Sequence, residues 1–172
     1  MNAKLREELL QRMAEEQKRR MELIDRPNDK ELIMRMTDVD QQNTAWLELV
    51  IQQHGWPGKS LVGDDGTNAV FLIVQHSPNH MFQKQCLVWL EQAVKQGEAE
   101  GKSLAYLTDR VRMTEGKKQI YGTQGEKQPD GEIVPGPIED EGHVDERRQA
   151  IGLEPMAEYF KQMNEFYKTK PR

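Results

Sequence analysis

A mainly α-helical fold, a single domain of five to seven helices, is what this sequence predicts, and three observations predict it. Residues 2–24, NAKLREELLQRMAEEQKRRMELI, consist almost wholly of strong helix formers. Phe82, Cys86, Trp89, Leu90 and Ala93 recur at i, i+4, i+7, i+8 and i+11, the spacing that places side chains on one helical face. Proline and glycine then punctuate the chain, at Pro27, Gly55 to Gly58, Pro78, Gly97 and Gly116, between stretches of helical length.

Taken in order, Leu5, Leu9 and Met13 repeat every four residues and Met21 and Ile24 extend the pattern past a polar gap at Gln17. So narrow a stripe predicts an N-terminal amphipathic helix or arm over residues 1–26, laid on its own domain or gripping a protein partner. The remainder, 27–172, is expected to be a helical domain with an extended segment at 117–143. Asp29 is placed to cap a short helix through Met36, and Thr37 or Asp38 to cap a second, VDQQNTAWLELVIQQH, stopped by Gly55. Trp46, Val50 and His54 share one face of it.

Residues 55–66 hold four glycines, a proline and two aspartates and read as a loop. AVFLIV (69–74) reads as a short buried helix between Thr67 or Asn68 and the Ser77-Pro78 stop. Ser77 is then the expected cap of the helix carrying Cys86, with Pro78 at its first position. Ser103 to Thr114 predicts another helix with Leu104, Leu107 and Val111 inward. Beyond Gly116, KKQIYGTQ and GEIVPGPI flank Pro129-Asp130-Gly131, so an irregular segment or short β-hairpin is expected near 117–140. An acidic connector (138–146), a short helix from Val144 to Ile151 and a last helix after Pro155 complete the chain.

The 24 basic and 29 acidic side chains leave a net charge of -5, which disfavours a nucleic-acid partner. The one cysteine, Cys86, excludes an intramolecular disulfide and a multi-cysteine zinc site, and its place on an apolar stripe predicts burial. No apolar leader opens the chain and no run approaches the ~20 apolar residues that span a bilayer. A cytoplasmic protein with no membrane association is expected.

Gly58-Lys59-Ser60 imitates the end of a phosphate-binding loop, but the motif needs glycine at 53, where Gln53 stands, and a preceding strand, where a helix is predicted. Nucleotide hydrolysis is therefore set aside. His54, His76, His80 and His143 show no metal-ligand spacing, so a metal site would have to assemble in space with carboxylates such as Asp64, Asp65 or Asp109; none is predicted, and no cofactor is identified. Cys86 and the serines lack the setting of a nucleophile. Tyr106-Leu107-Thr108-Asp109-Arg110 is more suggestive. Tyr106 and Arg110 share a helical face with Asp109 at its edge, an arrangement that makes either an ordinary ion pair or an arginine fork for an anion.

These residues carry a resemblance. HGWPG with SLVG (54–63), LIVQH ending at His76, FQKQCL (82–87), AYLTDRV (105–111), QIYGTQ (119–124), PGPIED (135–140) and VDERR with GL (144–153) resemble a family of small bacterial proteins of unknown function. The likeness covers roughly residues 35–160 and leaves the N-terminal helix outside. It implies a pattern of polar positions: His54, Trp56, Gln75, His76, Tyr106, Asp109, Arg110, Tyr121, Thr123, Gln124, Asp140, Asp145 and Arg148. It implies no reaction.

Two functions fit. The first is a pocket for a small polar or anionic molecule, with His54, His76 and Asp109 as catalytic candidates and Trp56, Gln75, Tyr106, Arg110, Tyr121 and Gln124 as ligand-binding ones. Histidine acid–base chemistry would suit it. The second is a non-catalytic interaction or regulatory module using the N-terminal helix and the acidic surface. A polar network that pins the C-terminal arm to the helices would also account for the pattern.

Overall fold

Helix α1 (Ala3–Asp25) starts where Asn2 accepts a hydrogen bond from the Leu5 amide at 3.1 Å, an N-cap. This computed structural model describes residues 1–168, which divide between two compact units, one ending at Glu100 and the other beginning at Gly101. Seven α-helices and one two-stranded sheet are found among the described residues, so the mainly α expectation holds, hairpin included.

In the N-terminal unit, α2 (Lys30–His54) opens at the Asp29 cap as expected, but runs unbroken through Thr37 and Asp38. The Thr37 hydroxyl bonds back to the Ile33 carbonyl at 2.9 Å, and a hydroxyl turned onto its own helix does not cap a new one. Helix α3 (Lys59–His76) begins inside the stretch expected to be a loop, which shrinks to residues 55–58. AVFLIV is its second half. Gly63, at φ 76° and ψ 172°, kinks it, a conformation open to glycine at little cost. Helix α4 (His80–Lys95) is capped by Asn79, not Ser77. The Ser77 hydroxyl is engaged elsewhere, accepting from the Asn79 amide at 3.1 Å and from Thr44 Oγ1 at 2.9 Å.

The start of α1 meets the start of α3, through the Asn2 amide on the Leu61 carbonyl (2.7 Å) and the Arg6–Asp65 ion pair. The two therefore run parallel, with α2 antiparallel to both and packed on each. Leu5, Leu9, Leu47, Val62, Val70, Val74, Cys86 and Leu90 fill the core. Trp89, expected inward, is 39% exposed, because the buried face of α4 runs Phe82, Cys86, Leu90, Ala93 and leaves Trp89 on its rim.

Cys86 is fully buried, and burial, assisted by the charge of Glu48, pushes its thiol far above the ordinary range. In the native protein it should resist a thiol-specific disulfide reagent and react fully only in denaturant. Stoichiometric labelling of the folded chain would contradict this.

In the C-terminal unit, α5 (Gly101–Thr114) buries Ala105, Leu107, Asp109 and Val111, while Leu104, expected inward, is half-buried. Strands β1 (Gly125–Lys127) and β2 (Ile133–Pro135) pair antiparallel about the Pro129-Asp130-Gly131 turn. A 3-10 turn (Glu141–His143), α6 (Val144–Ala150) and α7 (Met156–Lys168) follow. The outer edge of β2 is closed by one side chain. Asn164 of α7 accepts from the Ile133 amide and donates to the Ile133 carbonyl, each at 2.8 Å, so the strand offers no open pairing edge there.

Candidate functional site

The inward face of α1 begins with Leu5 and Leu9 and continues not with methionine but with charge. Glu16, 1% exposed, lies on that face, and Arg20 follows one turn later. Arg20 donates from Nε to a Glu16 oxygen and from Nη2 to both oxygens of Asp40, at 3.0 and 2.9 Å. Asp40, from α2, is itself buried. His76, the last residue of α3, brings Nδ1 to 2.5 Å from the same Glu16 oxygen. The contact is an ion pair whenever the imidazole is protonated. That oxygen also receives Arg20. Gln17 donates to the other Glu16 oxygen at 2.9 Å.

These surroundings drive the two carboxyls apart. Burial pushes Glu16 up, but the bond and charge of His76, and then of Arg20, together hold it below the usual carboxylate value. Burial lifts Asp40 as well, and there it prevails over the opposing charge of Arg20, with Glu16 adding to the rise. Two carboxyls displaced in opposite directions around one guanidinium, with a histidine alongside, make the cluster a candidate for proton transfer. The His76 side chain is 20% exposed and that of Arg20 25%, so the cluster reaches solvent at that edge.

His54 and His76 do not converge. His54 is exposed at the end of α2 and His76 terminates α3. The 18 residues of α3 separate them by roughly 25 Å at the helical rise. Trp56 is half-buried with no partner for its indole N–H. Gln75 is buried, and its carbonyl accepts from Gln83 Nε2 at 3.2 Å. Gly58-Lys59-Ser60 does open a helix, but α2 precedes it, and the helix start is occupied from within. The Ser60 amide donates to a Glu98 carboxylate oxygen at 2.8 Å and the Lys59 amide to the Glu98 carbonyl at 3.0 Å. The Lys59 ammonium pairs with Asp64 at 2.8 Å.

The other predicted residues, Tyr106, Asp109, Arg110, Tyr121 and Gln124, belong to the C-terminal unit. Asp109 is wholly buried and accepts from the amides of Ile120 (2.7 Å), Tyr121 (3.1 Å) and Thr123 (2.9 Å) and from the Thr123 hydroxyl (2.9 Å). Arg148, equally buried, donates to the carbonyls of Tyr121 (2.8 Å), Gly122 (3.2 Å) and Glu154 (2.6 Å), and Arg147 donates to that of Ile120 (2.8 Å). One carboxylate thus takes the amides of a loop and two arginines take its carbonyls. Gln119, also buried, bonds both ways with the Gln124 backbone (2.7 and 2.9 Å). Tyr159 caps the arrangement by donating to the Thr123 carbonyl at 3.1 Å. Tyr106 stands edge-on to Tyr159, and burial raises both phenols. Asp145 accepts from the Met156 amide at 2.8 Å, at the start of α7. In this loop, polar residues do the work of a core.

Sequence reasoning missed Glu16, Arg20, Asp40 and Asn43. The available signal was the register of α1: Leu5, Leu9, Glu16 and Arg20 fall on one helical face, so a charged pair occupies the inward stripe.

Fold and site together define a helical protein of two units whose N-terminal unit encloses an ionic centre. The chain belongs to the family of unknown function DUF6624, whose pattern matches residues 3–172. The N-terminal helix, expected to lie outside the family, is thereby part of it. No curated protein and no solved structure matches the chain. Among the described residues no helix is long and apolar enough to cross a membrane.

Proposed function

We propose that this protein binds a small polar molecule where the Glu16–Arg20–Asp40–His76 cluster meets solvent, and that His76 transfers a proton to or from it. The observation that supports this reading is the Glu16 carboxylate held ionised against His76 Nδ1 while Asp40, on the same arginine, is displaced the other way. With Nδ1 facing a buried carboxylate, Nε2 is the ring nitrogen left for a ligand. Glu16 orients the ring and stabilises the charge it gains, and Arg20 keeps Glu16 ionised. His54 has no place in this centre. The burial of Leu5 and Leu9 within their own unit favours this reading over an arm gripping a partner.

A panel of small polar compounds, followed by thermal shift on the parent and on His76→Asn, tests the reading. At least one compound should stabilise the parent and lose that effect in the variant. If every stabilising compound acts equally on both, the His76 centre is not the site.

A further inference from the structure

Building on the His76 reading, we infer that the ligand is a neutral carbonyl compound, not an anion, and that Asn43 holds its oxygen. Asn43 lies on α2 one turn beyond Asp40 and is 4% exposed. Its Oδ1 accepts from Arg12 Nη1 at 3.2 Å, but its Nδ2 has no partner. A buried amide donor left unpaired is unfavourable, and buried donors are nearly always satisfied by protein, water or ligand. A buried side chain one turn along α2 from Asp40, with its donor unpaired, is therefore a place for an acceptor atom.

Charge decides which acceptor. Arg20 is shared between Glu16 and Asp40. Arg12 pairs with Glu8 at 3.0 Å and lies over the Trp46 ring at 4.3 Å. Each guanidinium of the cluster already faces a carboxylate. An incoming anion would meet the buried charges of Glu16 and Asp40 with no uncommitted arginine to balance it. A neutral carbonyl oxygen satisfies the Asn43 N–H without adding charge, and the bond polarises the carbonyl for the proton transfer assigned to His76. The chemical class is that of amides, ureides and ketones.

Acetamide, acetate and methylammonium, titrated separately while the Asn43 side-chain amide and the His76 ring are followed by NMR, form the test. Acetamide should move both sets of resonances in the parent and bind at least tenfold tighter than acetate. Asn43→Ala should weaken acetamide about tenfold, the loss of one hydrogen bond. Should that variant fail to fold, the parent's own Nδ2 protons still decide. Acetate binding as tightly as acetamide overturns the inference. So does acetamide that moves His76 but not Asn43, in which case the His76 reading survives alone. If none of the three moves His76, both fail. An Asn43 amide that contacts only ordered water and ignores acetamide also refutes it.

Discussion

Asp109→Ala should remove most of the order of the QIYGTQ loop and about 3–5 kcal/mol of stability. The carboxylate is wholly buried and takes four donors, three of them backbone amides. Alanine leaves those amides without partners in a place water does not easily reach, at about 1–3 kcal/mol for each left unmet. Partial relaxation keeps the total below the simple sum, but against a typical ~5–15 kcal/mol for a whole domain the loss is severe. Asp109→Asn, nearly the same in volume, should fare little better, since its NH2 would point at donors. Amide hydrogen exchange at Ile120, Tyr121 and Thr123 reads the effect directly. If protection there is unchanged in Asp109→Ala, the aspartate does not hold the loop.

Arg20→Met is the second large effect, expected at about 3–5 kcal/mol near neutral pH, because it strips the shared cation from two buried carboxylates. Its pH dependence should have a distinctive sign. In the parent, Glu16 lies below its ordinary value, so the stability it supplies is complete above the ordinary carboxylate range. That stability disappears as pH falls through the lowered value. Asp40 lies above its ordinary value, and its contribution runs the other way, present at low pH and lost as pH rises through the raised value. Without Arg20, burial and mutual repulsion raise both groups. The deficit of Arg20→Met should therefore shrink as pH falls from neutral toward about 5, as protonation relieves the buried charge. Urea midpoints of parent and variant at the two pH values give the comparison. A deficit of the same size at both would mean that lost packing of the arginine stem, not charge, is responsible.

How much of this was legible varied with the physics involved. Helices announced by apolar spacing and glycine stops were readable, as was the hairpin about Pro129-Asp130-Gly131. Boundaries at Thr37, Gly63 and Ser77 were not, because each depends on where one side chain or one φ angle ends up in the assembled unit. His76 was singled out as a residue of interest, yet its partner Glu16 lay among many similar charges in EELLQRMAEEQKRRMELI, where composition gives no hint of which one is buried. Asp109 stood out too, but as a chemical group. That it is a bonding hub follows only from a loop eleven to fourteen residues further on folding back onto it.

The division at Glu100 also sorts the chromophores. Trp46, Trp56 and Trp89 all precede it, whereas Tyr106, Tyr121, Tyr159 and Tyr167 all follow it. Nature has in effect dyed the two units in different colours. Tryptophan emission tracks the half that carries His76, and the tyrosine signal tracks the half pinned by Asp109. A single unlabelled sample, melted once, thus reveals whether the halves unfold in one step or two, and which of them a given substitution or ligand has touched.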